Sequence, residues 1–117
     1  MEAQGFRRFS PQFDRPDVMS KYSCTVVGDK ATCPYLLSNG DDVAKGEGTP
    51  EDAAAEGKHW VRWVDPWRKP TYLFAVVAGD FNVLEDSFRR SDGKDVRLRI
   101  FAIGDDIKRC GHAMRSL

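Results

Sequence analysis

Apolar and polar positions alternate along most of this chain, and the alternation predicts strands. Tyr22, Cys24 and the β-branched run Thr25-Val26-Val27 predict a strand from Ser20 to Gly28. Ala31 to Leu37 predicts a second short extended segment, with Pro34 placing an edge or a bulge within it. Ser38-Asn39-Gly40-Asp41 predicts a tight hairpin turn, because Asn-Gly tolerates the positive φ such a turn demands. A short strand from Val43 to Glu47 should follow. Gly48 to Gly57 is acidic, small and turn-rich, a surface loop in which Pro50 to Glu56 can form a helical turn capped by Thr49.

From Lys58 to Asp65, Trp60, Arg62 and Val64 alternate with His59, Val61 and Trp63, a strand with mixed faces. Pro66 and Pro70 are expected to bracket a rigid turn. Tyr72 to Ala78 is apolar on both faces and predicts a buried central strand. Phe81 to Arg90 and Lys94 to Ile103 flank Asp92-Gly93, a second hairpin signal. The period then changes: Ile107, Cys110, Met114 and Leu117 fall at helical spacing, with Asp105 or Asp106 available as a cap. Residues 1–19 carry Pro11 and Pro16 and no period, so they predict an ordered loop with one helical turn. The fold class expected is mostly β (α+β overall), an antiparallel or mixed sheet followed by a β-hairpin and a C-terminal helix.

Length and charge narrow the function classes. A chain of 117 residues suits one ordinary domain and not two full ones. Eighteen basic residues balance eighteen acidic ones, so no net field draws the chain to nucleic acid or to an anionic membrane. The longest apolar run, Leu73 to Ala78, is far short of the ~20 residues of a membrane-spanning helix. The N-terminus has no basic start leading into an apolar stretch, as a secretory signal would. Cys24, Cys33 and Cys110 form neither an even set nor a C-x-x-C pair, which points to reduced thiols and a cytoplasmic protein.

Several words recur in an order that resembles one family. Glu2-Ala3 with Gly5-Phe6-Arg7, then Phe13-Asp14-Arg15-Pro16-Asp17-Val18-Met19, are similar to the aminopeptidase N family of zinc metallopeptidases, in its bacterial-type alanyl aminopeptidase branch. Tyr35 to Gly40, His59-Trp60-Val61, Trp63, Asp65-Pro66, Lys69-Pro70, Tyr72 to Phe81 and Cys110 to Met114 with Ser116-Leu117 resemble the same branch in the same order. Ser10-Pro11-Gln12 and the long Gly48–Gly57 loop depart from its pattern. The resemblance implies a large enzyme of several domains. Residues 1–80 would be the C-terminal part of its N-terminal β-domain, and residues 81–117 the incomplete beginning of a thermolysin-like catalytic domain.

The resemblance assigns one binding residue. Glu2 would lie at the active-site rim and bind the free α-amine of the peptide substrate. An ammonium carries three donors, and a fixed carboxylate accepts them with charge assistance. The catalytic residues are expected elsewhere: the family's H-E-x-x-H helix, a further glutamate and a Gly-Ala-Met-Glu-Asn segment do not occur in the chain. No zinc is therefore expected in this piece, and zinc is expected in the parent enzyme. His59 and His112 stand in no ligand pattern and read as structural or surface side chains. Trp60, Trp63 and Trp67 beside Arg62, Arg68 and Lys69 could stack on single-stranded nucleic acid, but the balanced charge favours aromatic packing within a β-domain with ordinary surface arginines. The expected partners are the substrate's N-terminus and the remaining domains of the same enzyme, with no nucleic acid and no membrane. The alternative reading is a stand-alone, non-catalytic β-module that binds a protein or peptide.

Overall fold

The computed structural model describes residues 5–117. The chain divides into two compact units, one running to Gly79 and the other from Asp80 to Leu117. In the first unit a 3-10 turn, Phe6–Arg8, precedes strands β1 (Met19–Asp29), β2 (Tyr35–Ser38), β3 (Asp41–Glu47), β4 (Lys58–Pro70) and β5 (Val76–Gly79). β4 lies between β1 and β3, antiparallel to both, and β2 pairs antiparallel with β5.

The Asn39-Gly40 turn does not join two partner strands as expected. The chain changes sheets there, since β2 bonds to β5 and β3 to β4. The cause is the Asn39 side chain. Its amide nitrogen donates to the Leu73 carbonyl at 3.1 Å, and its oxygen accepts the Ala75 N–H at 2.7 Å. Ser38 Oγ adds a bond to the Ala75 carbonyl at 2.9 Å. Gly40 has φ +87°, and a Cβ there would meet the Val64 carbonyl oxygen at 2.1 Å, so a side chain would push the turn off β4.

The same bonds overturn the buried central strand expected from Tyr72 to Ala78. Thr71–Leu73 forms a 3-10 turn, and only Val76–Gly79 is extended against a partner. Leu73 and Ala75 give main-chain groups to Asn39 that a longer strand would use in a ladder. Val76 and Val77 are exposed at 43% and 44%.

Pro66 and Pro70 do not bracket a turn either, because β4 runs through both. The register with β1 steps from Asp65 opposite Tyr22 to Lys69 opposite Ser20, leaving Pro66, Trp67 and Arg68 as a bulge across from Lys21. Proline has no N–H for the ladder, so the strand yields at that point. Asp65 holds the bulge closed: it accepts the Trp67 N–H at 3.1 Å and pairs with the Lys69 ammonium. In the Gly48–Gly57 loop, Thr49 Oγ1 accepts the Asp52 N–H at 3.0 Å, but the segment forms turns rather than a helical stretch.

Leu36, 2% exposed, fills the middle of the first unit. On one side it lies over Gly28, where a Cβ would come within 2.7 Å of its Cδ2. On the other, the buried Trp63 donates its indole N–H to the Leu36 carbonyl at 3.1 Å. This one residue ties β2 to both β1 and β4.

The second unit is a hairpin of β6 (Asn82–Arg89) and β7 (Asp95–Ala102), then a 3-10 segment, Gly104–Arg109, and helix α1 (Gly111–Ser116). Asp92-Gly93 makes the turn as expected, with Gly93 at φ +82° and Lys94 N–H donating to Asp92 Oδ1 at 3.1 Å. The predicted C-terminal helix is thus 3-10 first and α later. Asp105 and Asp106 pair with Lys108 and Arg109 instead of capping it. Met114 is buried and Leu117 is exposed. No helix among the described residues is long and apolar enough to cross a membrane.

Each unit leaves apolar side chains in water: Trp67, Val76 and Val77 in the first, Phe88, Ile103 and Leu117 in the second. Together with β1 and β3 at the ends of their sheet and the two-stranded β6–β7 hairpin, they predict that the isolated 117-residue chain self-associates. Light scattering on purified protein should give a mass above the 13.2 kDa of one chain. A clean monomer with a sharp, cooperative melt is the contrary result.

Candidate functional site

The site is built around the segment that follows Glu2. Glu2 itself lies outside the described residues. Three residues beyond it, Gly5 opens the 3-10 turn, with Arg8 N–H bonded to the Gly5 carbonyl and both Phe9 and Ser10 N–H bonded to Phe6. Phe6 is buried and anchors the turn by its ring. It meets Phe74 edge-on at 5.5 Å between ring centres, and Phe74 in turn stacks on Tyr22 of β1 at 5.1 Å. Aromatic contacts of this kind contribute roughly 0.5–1.5 kcal/mol beyond the area they bury.

A polar clasp lies beside this aromatic stack. Asp14 is only 5% exposed and is bonded through three of its atoms. Its Oδ2 accepts the Arg7 main-chain N–H at 3.0 Å and Arg7 Nε at 3.2 Å. Its carbonyl accepts Arg7 Nη2 at 2.9 Å. Its Oδ1 accepts the Thr71 hydroxyl at 2.5 Å. The loop before β1 is thereby fixed to the turn after β4, 57 residues away in sequence. Asp14 belongs to the word Phe13-Asp14-Arg15-Pro16, yet it carries no legible role there, because a charged residue in a proline-rich loop reads as solvated. The signal lay in pairing it with Thr71, which no local pattern reveals.

These bonds hold the Asp14 carboxyl below its ordinary value of 3.8. The Thr71 hydroxyl is the largest cause, burial opposes it, and the main-chain and side-chain groups of Arg7 add to the lowering. A depressed folded value means that the unfolded chain takes up the proton first. The stabilisation is therefore complete above about pH 4 and is lost as pH falls below it, through the folded value. Melting temperatures measured between about pH 5 and pH 2 should fall less steeply for Asp14→Asn than for the unaltered chain. Equal slopes would remove Asp14 from the account. Tyr22 shifts the other way: burial, and then the charge of Asp14, push its hydroxyl above 10.0. That contribution is present below pH 10 and is lost as pH rises through the folded value.

The remaining sequence candidates are structural. His59 Nε2 donates to the Cys33 carbonyl at 2.7 Å, and the His112 carbonyl accepts the Ser116 hydroxyl at 3.0 Å. Trp60 and Trp63, three positions apart on β4, face opposite sides of the sheet. Trp60 covers Gly46, Trp63 packs at Leu36, and Trp67 stands 78% exposed on the bulge. Arg62 lies 6.0 Å from the Trp60 ring and donates to Thr25 Oγ1 at 3.1 Å. The three indoles share no stacking face, so packing is the reading the geometry supports. Among the described residues no group of three or more His, Cys, Asp or Glu side chains could hold a metal ion. Zinc does not fit these residues, and no chemical step in this chain is routed through it.

Residues 1–73 match the Peptidase M1 N-terminal domain. Aminopeptidase N of Haemophilus influenzae is 44% identical over 116 residues, which is 99% of this chain and 13% of that protein. Aminopeptidase N of Escherichia coli strain K12 is 45% identical with the same coverage. The crystal structure of Legionella pneumophila aminopeptidase A in complex with aspartic acid matches 97% of this chain and 13% of its own, with a TM-score of 0.84 and 32% identity. The chain thus spans about an eighth of the length of the curated relatives it matches.

Proposed function

The chain belongs to the M1 peptidase family through its N-terminal domain, and from that premise we propose that it forms the substrate-amine-binding wall of a zinc-dependent aminopeptidase releasing N-terminal amino acids from peptides. Glu2 is the binding residue. Its carboxylate accepts hydrogen bonds from the protonated α-amine, orients the peptide by its free end and disfavours a blocked one. The observation that carries this reading is the fixed segment behind it. The family word Gly5-Phe6-Arg7, which follows Glu2 in the sequence, is buried through Phe6 and clasped through Arg7.

Hydrolysis is assigned to residues outside this chain. Bound zinc would polarise the scissile carbonyl there. The division of the chain after Gly79, with the family match ending at Leu73, supports residues 1–80 as the end of the N-terminal β-domain and 81–117 as the opening of the catalytic domain. The remaining domains of the enzyme are the proposed partners of the exposed apolar side chains. Three free thiols, Cys24, Cys33 and Cys110, support a cytoplasmic location.

The test compares the 117-residue chain with the product of the whole reading frame around it. The longer protein is expected to cleave free-amine peptides, to spare their N-acetylated forms and to lose activity to a chelator. The chain alone is expected to do none of this. A stop codon after Leu117, with peptide binding by the short chain, would favour the stand-alone module instead.

A further inference from the structure

We infer that one face of the β6–β7 hairpin is a docking surface for an apolar segment of the remaining M1 chain that carries a lysine or arginine for Asp86. This deepens the reading above, which gives the exposed apolar side chains to the rest of the enzyme, and rests on it.

The register sorts the hairpin into two unlike faces. Leu84 stands opposite Ile100, Asp86 opposite Leu98 and Phe88 opposite Val96, so all of them project from the same side. On the other side Glu85 stands opposite Arg99, and Arg89 opposite Asp95, charges of opposite sign that suit water. The first side does not suit water, yet Phe88 is 56% exposed there and Val96 37%. Two strands alone are marginal in water, and an apolar face stabilises them only when a further layer covers it.

Asp86 specifies what that layer must carry. It is exposed, and within the ladder it is the one charge on the apolar side. Its Oδ1 accepts the neighbouring Ser87 N–H at 2.8 Å, and no basic side chain among the described residues pairs with it. A covering segment without a cation would enclose a lone carboxylate, at a large desolvation cost. The same face of a second copy would enclose two, since its ladder offers no cation on that side. An apolar segment with one lysine or arginine meets both needs: it covers Phe88, Val96 and Leu98, and its cation neutralises Asp86. The source is the same polypeptide, since this chain covers only 13% of its aminopeptidase N relatives and a tethered segment docks at high effective concentration.

Thiol labelling in the full-length enzyme tests this. Phe88→Cys places a thiol on the proposed surface, and Ser87→Cys places one on the opposite side of the same strand. A water-soluble maleimide should label Phe88→Cys at least about tenfold more slowly than Ser87→Cys, because the covered thiol reacts only when the contact opens. Mass spectrometry of the modified peptides separates both from Cys24, Cys33 and Cys110. Adding Asp86→Lys should speed labelling of Phe88→Cys by about tenfold, since it sets like charges against each other, whereas Asp86→Glu should not. If Phe88→Cys does not fold, Val96→Cys takes its place with the same expected pattern. Equal labelling at positions 87 and 88 would overturn the docking surface, and protection unchanged by Asp86→Lys would overturn the cation. Protection lost on dilution would give the face to a second copy, and protection lost on purification would give it to a separate protein; either would overturn the same-chain occupant. Activity is the separate readout. An active aminopeptidase with a reactive Phe88→Cys sinks only this inference, and a full-length protein that cleaves no free-amine peptide sinks the reading beneath it.

Discussion

Glu2→Gln in the full-length enzyme is expected to reduce kcat/KM for free-amine peptides by roughly 10- to 100-fold, the equivalent of the ~1.5–3 kcal/mol that a charged hydrogen bond contributes. Glutamine keeps the size and one acceptor oxygen but loses the charge, so the change isolates attraction between carboxylate and ammonium. Glu2→Asp keeps the charge and withdraws it by one methylene, and it should fall between the two. Steady-state kinetics on a peptide series check the order. The effect should appear in KM more than in kcat, because the amine is held in the bound substrate as well as in the transition state.

The largest stability effect is expected at Trp63. Trp63→Ala removes a buried indole from the contact that ties β2 to β1 and β4, at a cost of about 3–5 kcal/mol, a large part of the stability of an ordinary domain. Trp63→Phe keeps most of the volume and loses the N–H that bonds to the Leu36 carbonyl. It should cost about 1–3 kcal/mol, the penalty for an unsatisfied buried acceptor. Denaturant titration of the full-length enzyme, followed by a probe in the first unit, measures both. An alanine variant that unfolds at the same midpoint as the parent would remove Leu36 and Trp63 from the centre of the fold.

The strands that alternate in the sequence are the ones it made legible. β1, β3, most of β4 and the β6–β7 hairpin follow from β-branched runs, period-two patterning and the Asp92-Gly93 turn. What stayed hidden depends on side chains meeting main chain far away in sequence. Asn39 captures Leu73 and Ala75, and this converts an apolar run that reads as a central strand into a turn and a short, exposed strand. Asp65 and Lys69 hold three residues out of register, so two prolines that read as a turn sit within one long strand. Neither effect has a periodicity.

The candidate site divides in the same way. Glu2 was legible only through the family word that contains it, because a single carboxylate near a terminus carries no local signal. Asp14 was visible as a residue and not as a clasp, since its burial needs Thr71 from the other end of the first unit. A metal site needs several ligands brought to one point, which only a fold can do, and among the described residues no group of three or more His, Cys, Asp or Glu side chains is so placed.

The most direct test of the central claim is a crystal structure of the full-length enzyme with a bound amino acid or peptide analogue. The Glu2 carboxylate is expected within about 3.2 Å of the ligand's α-amine, with Arg7 N–H still bonded to Asp14. A ligand amine held wholly by other residues, with Glu2 turned into solvent or buried away from the cleft, would contradict it.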